Sequence, residues 1–241
     1  MTSLDITMTA VLRPEIINKT LKTFCANLFC DNGIKYRLII NVDIVGEKVK
    51  PAKIIKICER YFDNIKYRIS HNPSFSKAVI WTWNQIEADY IFHLEDDWII
   101  KRSVNLNDMI NILHSNEKLS CLHLSKTNIK KVNRINWSGN RYKYCDGFYM
   151  AKKPFGFSLN PVLAKSEFIK SVVNHMTESN NPEKQIRVGN KKIRPILEKW
   201  HYGLYSECGS AALVKDNGYH WRIEQNLIKP KRGQFILWEK K

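Results

Sequence analysis

Apolar positions through the first hundred residues fall into two alternating rhythms. Asp5 to Leu12, "DITMTAVL", predicts a strand. In the next segment, "RPEIINKTLKTFCANLF", Ile17, Leu21, Phe24 and Leu28 recur at helical spacing, with Pro14 in the first turn. "YRLIINVDI" (Tyr36 to Ile44) predicts a second buried strand that meets Asp43 at its end. "PAKIIKICERYF" then reads as helix, "IKYRIS" as strand, "FSKAVIWTWNQI" as helix and "ADYIFHLEDD" as strand. Strands buried on both faces with helices between them indicate an α/β fold with a Rossmann-like, mostly parallel sheet flanked by helices. Ligands in such sheets sit beyond the carboxyl ends of the strands. Asp43 and the run Glu95-Asp96-Asp97 are therefore expected along one rim.

The second half predicts a less regular pattern. Asn107 to His114 reads as a helix, "LSCLHLS" as a strand, and "KTNIKKVNRINWSGNRYKYCDG" as a long basic and aromatic hairpin or loop. "FGFSLNPVLAKSEFIKSVVNHM" predicts a short strand, Pro161 and a helix. "NNPEKQIRVGNKKIRPILEKWH" opens on a helix start signal and holds one helix or two. The tail from Gly209 predicts an apolar strand, a turn at Asn217-Gly218 and a basic end.

Length adds one bound: 241 residues, 44% of them hydrophobic, suffice for one large domain over 1–241. No segment holds the roughly 20 apolar residues of a membrane helix, and the N-terminus has neither a basic leader nor a long apolar run. A soluble, cytoplasmic protein is expected, in the host cytoplasm if the chain is viral. Six cysteines lie scattered without a CxxC pair, which argues against a disulfide framework or a structural zinc site. Charge changes the picture more. Thirty-nine Lys and Arg against 23 Asp and Glu give +16, enough to attract nucleic acid, an anionic membrane or phosphorylated substrates. The alternative is that many of these lysines are merely solvated.

Against that positive background, "YIFHLEDDWII" places three consecutive carboxylates at the end of an apolar strand. Adjacent like charges repel and are costly to bury alone, so a cation is expected beside them. A solvated surface loop is the plain alternative, but Trp98-Ile99-Ile100 return at once to apolar surroundings. Hard carboxylate oxygens suit Mg²⁺ or Mn²⁺, which also takes phosphate oxygens. Together "TAVLRPEIINKTLKTF", "IINVD", "NPSFSKAVIWTWN" and "YIFHLEDDW", in this order, resemble the donor-binding half of a GT-A glycosyltransferase. The resemblance covers about the first hundred residues and implies a nucleotide-sugar donor half over 1–100 and an acceptor half over 101–241.

The resemblance also implies site residues. Thr9, Arg13 and Asp43 would cradle the nucleoside of a UDP-sugar, and Lys77 would face the donor. Asp97 would be the direct metal ligand, with Glu95 or Asp96 toward ribose or sugar and Glu95 a second candidate for the metal. "VKDNGYHWR" resembles the late segment that returns to the metal, but Asp216-Asn217-Gly218 replaces the His-x-Gly spelling, which leaves both Asp216 and His220 open. Glu183, in "NNPEKQ", stands where such enzymes carry an acidic catalytic residue, and Asp146 is the second candidate. Plainer roles exist for each: Asp43 as a turn cap, Arg13 and Lys77 as surface charges, Glu183 as an acid favoured in a first helical turn, and His220 as a packed histidine.

The implied reaction is metal-dependent transfer of a sugar from a nucleoside diphosphate to an acceptor hydroxyl. Lys130, Lys131, Arg134, Arg141 and Lys143 interleave with Trp137, Tyr142 and Tyr144, a pattern that suits phosphates and stacked bases. Hydroxymethylated pyrimidine in DNA, of the kind found in phage genomes, is the preferred acceptor on this reading. A cell-surface polysaccharide or lipid-linked glycan, approached through peripheral membrane contact, is the alternative. A Mg²⁺-dependent nuclease and a non-catalytic nucleic-acid binding protein remain as readings from other classes.

Overall fold

In the computed structural model, which describes residues 2–126, 142–152, 157–187, 189–206, 210–228 and 239–240, strand and helix alternate through the first hundred positions. Strand β1 (Thr2–Leu12) leads into α1 (Pro14–Asn27), β2 (Ile34–Gly46) into α2 (Ala52–Cys58), and β3 (Ile65–Ser70) into α3 (Phe75–Asn84). β4 (Tyr90–Glu95) and the short β5 (Trp98–Ile100) follow. Next come α4 (Leu106–Ser115), β6 (Leu119–Leu124), β7 (Tyr142–Cys145), β8 (Phe148–Ala151), β9 (Val162–Lys165) and α5 (Ser166–Val173). Two single-turn helices, α6 (Pro182–Gln185) and α7 (Arg194–Leu197), precede β10 (His201–Tyr205), β11 (Val214–Asp216), α8 (Gly218–Glu224), β12 (Leu227–Ile228) and β13 (Glu239–Lys240).

One nine-stranded sheet runs in the order β3-β2-β1-β4-β9-β6-β10-β8-β7. β3, β2, β1 and β4 are mutually parallel, β9 lies antiparallel between β4 and β6, and β10 runs parallel to β6. β8 and β7 close the far edge antiparallel. The carboxyl ends of β1, β2, β4, β6 and β10 thus share one rim. On one face, Leu4, Ile6 and Met8 of β1 pack on Ile17, Leu21 and Phe24 of α1. The other face sets Ile91, Val162 and Ala164 under Val79 and Trp83 of α3 and Phe168 of α5. Among the described residues, no helix is long and apolar enough to cross a membrane.

The second half supplies β6 to β10 to the common sheet and departs from the sequence reading in three ways. The strand expected before Pro161 lies after it, as "VLAK", because four fully buried residues running into α5 cannot be told from a first helical turn by periodicity. Asn217-Gly218, expected to make a turn, instead starts α8. Lastly β10 has no counterpart in the reading. Its glycine weakens the strand pattern, yet a Cβ at Gly203 would lie 2.5 Å from Leu122 Cδ2 of β6, so close strand packing demands it.

Polar groups inside the sheet are matched to partners. Asp5 accepts from Arg37 Nε and Nη2, both at 2.8 Å, and from the backbone N–H groups of Glu87 and Ala88. Burial alone would raise its carboxyl, but these donors hold it below the usual range. Two histidines are different. His93 and His123 flank Val162 from β4 and β6, so they share a face. Thr7 Oγ1 lies 3.0 Å from His93 Nδ1 and Trp83 Nε1 donates to the same atom at 3.3 Å, which places the ring proton on Nε2. Among the described residues, His93 Nε2 and His123 Nδ1 have no hydrogen-bond partner. Burial pushes both rings down to about 3.

An unfolded chain protonates these imidazoles near pH 6.5 while the folded one does not, so acidification favours unfolding. Their contribution is complete above about pH 6.5 and declines steadily as the pH falls toward 3. Urea midpoints measured across that range should fall with acidity, and His123→Gln should make the slope shallower. An unchanged slope in the variant would show that His123 titrates normally when folded.

Candidate active site

Alternation along β4 separates the three acids. Glu95 follows Ile91 and His93 toward the α3 face, while Asp96 turns to the α1 face with Phe92 and Leu94. There the expected cation waits, and it is an arginine. Arg13 lies between β1 and α1, with its side chain only 5% exposed. Its Nε donates to Asp96 Oδ2 at 2.8 Å, its Nη2 donates to Asp96 Oδ1, and the same Nη2 lies 3.0 Å from Asp97 Oδ2. Val11 N–H donates to Asp96 Oδ2 at 3.0 Å. Asp96 N–H donates to the Thr9 carbonyl, and Thr20 Oγ1 donates to the Asp96 carbonyl. Asp96, which with Glu95 was one of two acids expected toward ribose or sugar, lines the cleft but is buried and accepts at both oxygens. Arg13, expected at the nucleoside, also lines the cleft, with Nε and Nη2 held by the acids.

Burial opposes charge on both members of this pair. For Arg13 the opposition is overcome by Asp96 and then Asp97, which hold the guanidinium above its ordinary value and fully protonated. For Asp96 burial pushes the carboxyl up, against the pull of Arg13 and the Val11 N–H. Asp97 is the outer acid, 17% exposed in its side chain. Glu95 is half-buried and accepts from Trp98 Nε1 at 3.4 Å.

The C-terminal segment covers this cluster. β11 pairs antiparallel with β5, setting Asp216 beside Trp98, and Asn217 N–H donates to the Asp97 carbonyl at 2.7 Å. Asp216 Oδ1 accepts from Gly218 N–H at 2.8 Å. Gly218 sits so close that a Cβ there would lie 2.1 Å from Asp97 Oδ2. One turn on, Trp221 stacks over Arg13, 5.2 Å from ring centroid to guanidinium carbon. Neither Gly218 nor Trp221 was legible as a site residue. His220 is exposed and meets Tyr219 edge-on at 5.6 Å.

A cleft beside the acids is lined by Thr9, Arg13, Asp43, Phe75, Glu95 and Asp97 among others, and so gathers most of the expected donor residues. Asp43, at the end of β2, accepts from Asn41 Nδ2 at 2.9 Å and from Ser74 N–H at 3.0 Å. It therefore ties down the loop before α3 as well as facing the cleft. Burial raises its carboxyl despite Asn41, Ser74 and Arg68. Arg68, which the sequence did not single out, donates to Asn41 Oδ1 at 2.7 Å and lies 4.9 Å over Trp81.

Other expected residues lie elsewhere. Lys77 is exposed and 3.5 Å from Glu178. Glu183 starts α6, and its Oε1 accepts from Leu159 N–H at 3.1 Å. Since Val162 pairs with His93, Leu159 and the carboxylate it holds lie at the shared rim, one strand from β4. Asp146, in the β7–β8 turn, is exposed at the same rim but four strands from β4, roughly 19 Å at ~4.8 Å per strand. Tyr142 and Lys143 lie on edge strand β7, whereas Lys130, Lys131, Arg134, Trp137 and Arg141 fall outside the described residues. Among the described residues, no three His, Cys, Asp or Glu side chains converge as a ready metal cage.

No protein-family model matches the sequence, and neither does any curated protein. Solved structures do. S. aureus TarS 1–349, in complex with UDP-GlcNAc, superposes with a TM-score of 0.57 at 13% identity, over 87% of this chain and 57% of that one. Mannosyltransferase PcManGT from Pyrobaculum calidifontis, in complex with GDP-Man and Mn²⁺, gives 0.59 at 10% identity, over 92% and 60%. GalNAc-T7 with UDP, GalNAc and Mn²⁺ gives 0.55 at 7% identity, over 85% and 41%. These likenesses define the fold as that of the GT-A glycosyltransferases. The chain spans 41% to 60% of the lengths of these proteins.

The contact at Gly218 yields a direct test. Gly218→Ala should force Asp97 or α8 to move, lowering stability by about 1–3 kcal/mol. Gly189→Ala, whose added methyl meets nothing within 4 Å, is the control. Equal urea midpoints for the two variants would contradict the close approach.

Proposed function

We propose that the chain is a nucleotide-sugar-dependent, divalent-metal-dependent glycosyltransferase. The observation that carries this reading is the cleft at the carboxyl ends of β1, β2 and β4, where Asp43, Glu95 and an Arg13-braced Asp97 face one space in a GT-A fold. Solved proteins of this fold hold UDP-GlcNAc, or GDP-Man with Mn²⁺, in their complexes.

The donor set fits Mg²⁺ or Mn²⁺. Asp97 and Glu95 offer hard oxygen ligands, with Asp216 brought alongside by β11. Such ions are commonly held by one or two carboxylates plus substrate phosphates, so a ready cage of three side chains is not required. When bound, the ion supplies charge neutralisation for the departing diphosphate. His220, exposed on α8, is the weaker of the two late candidates. Asp43 takes the nucleoside side of the cleft, with Arg68 tied to it through Asn41, and Asp96 acts through Arg13 rather than on the donor.

In the proposed reaction the bond from the anomeric carbon to the diphosphate oxygen breaks as the acceptor hydroxyl oxygen bonds to that carbon. The acceptor proton passes to Glu183 if the transfer inverts, since Glu183 stands one strand from the acids while Asp146 is four strands away. Calorimetry with nucleoside diphosphates should show binding that requires Mn²⁺ and disappears with EDTA. Asp97→Asn should weaken it roughly 100-fold, about 2.7 kcal/mol, without unfolding the chain. Wild-type affinity in that variant would remove the assignment.

For the acceptor we propose hydroxymethylated pyrimidine in DNA. The net charge of +16 and the basic, aromatic run ending at Lys143 and Tyr144 support a polyanion that also offers rings to stack on. A base in a duplex would have to leave the stack to reach the rim. Radiolabelled UDP-sugar offered with hydroxymethylated DNA or with a lipid-linked acceptor should label the DNA, in a reaction that weakens steeply with salt. Label in the lipid fraction alone would replace DNA with the glycan alternative.

A further inference from the structure

Trp221 contacts two separate parts of the rim. Its ring lies over Arg13, and its indole N–H donates to Glu47 Oε1 at 2.9 Å. Glu47 follows Gly46, whose φ of +117° turns the chain at the end of β2. A Cβ on Gly46 would lie 3.1 Å from Trp221 Cη2, so the backbone is shaped to admit the ring. Trp221 itself is 6% exposed although α8 carries Tyr219 and Ile223 more than half exposed. One face of this helix is therefore committed to the site and the other to solvent.

The ring covers a guanidinium that would otherwise meet water. Arg13 is paired with two acids and lies over the indole face, and Gly218 approaches it closely from the start of α8. A cation sandwiched in this way is held more firmly than one paired to acids alone, because the aromatic face attracts the charge and excludes competing water. Holding Arg13 fixes Asp97, since one nitrogen, Nη2, bridges Asp96 and Asp97.

We propose that Trp221 is a positioning residue for donor binding: through its stack on Arg13 and its tether to Glu47 it sets the orientation of the Asp97 carboxylate at the cleft. The proposal rests on the glycosyltransferase reading for its consequence, and on geometry alone for its mechanism. It gives the C-terminal segment a role that Asp216 and His220 do not exhaust. Losing the stack frees Arg13 to swing toward solvent and lets Asp97 turn away from the diphosphate.

Two measurements separate these layers. Arginine modification by phenylglyoxal, mapped by mass spectrometry, reports how well Arg13 is covered. It should be faster at Arg13 by several-fold in Trp221→Leu, faster to a smaller degree in Glu47→Ala, and close to wild type in Trp221→Phe, which keeps a ring over the charge. UDP affinity in the presence of Mn²⁺ should fall about tenfold in Trp221→Leu, equivalent to about 1.4 kcal/mol, and recover in Trp221→Phe. Glu47 lies on a half-buried loop, so Glu47→Ala keeps the test open if the leucine variant folds poorly. Folded Trp221→Leu or Glu47→Ala protein with wild-type labelling of Arg13 would overturn the proposal. If no form of the chain binds UDP or any other nucleoside diphosphate, the glycosyltransferase reading fails, and the labelling still decides whether Trp221 holds Arg13.

Discussion

The pairing of Arg13 with Asp96 is the constraint on which the rim depends. Both side chains are almost wholly withdrawn from water, and a lone charge in either place would be severely destabilising. Together they are tolerable because the geometry is two-pronged and the Val11 N–H completes the set. The pair also dictates local structure. Arg13 stands at the start of α1 without capping it by side chain, because a guanidinium offers only donors and cannot accept from the first-turn N–H groups. Pro14 makes the omission cheap, since it has no N–H to satisfy at that position. With Asp96 fixed from the α1 side and its backbone held by Thr9 and Thr20, the chain must turn at Asp97, and Asp97 is left as the acid that meets the outside.

Charge works on two scales in this molecule. Over the whole chain the balance is +16, a long-range attraction for anions that reaches out about a Debye length, ~8 Å at physiological salt. At the rim the sign reverses: Asp96 and Asp97 pair with the guanidinium of Arg13, Glu95 acts on it from nearby, and Asp216 is set beside Trp98. A phosphate drawn in by the overall field would be repelled at the last step unless a cation intervened. A surface made only for nucleic acid would therefore account for the overall charge but not for the acids at the cleft.

Much of the first hundred residues could be read from the sequence because their signals are local. Ile17, Leu21 and Phe24 announce α1, the apolar run ending at Asp43 announces β2, and the rule that α/β sheets bind ligands at strand carboxyl ends puts Asp43 and the acids on one rim. The partner of the acids was anticipated in sign but not in identity. Arg13 and Asp96 are 83 positions apart, and no periodicity reports that kind of apposition. Gly218 and Trp221 were invisible for the same reason, as their meaning lies wholly in what they touch. The second half resisted for a different cause: "VLAK" and "HYGLY" are too short and too mixed to declare themselves as strands, and only pairing with β4, β6 and β8 makes them so.

That pairing has a chemical consequence. Because β9 enters antiparallel between β4 and β6, the residues that precede it arrive at the same rim where β4 ends. Leu159 is thus delivered beside the acids, and its N–H fixes Glu183 from α6. Had β9 run parallel, this segment would lie at the opposite edge, and the carboxylate would face a different surface altogether. The antiparallel insertion is what brings an acid from position 183 to the rim that carries Glu95, Asp96 and Asp97. Residues far apart in the sequence therefore meet along one edge of a single sheet, without requiring the two halves of the sequence to close on each other.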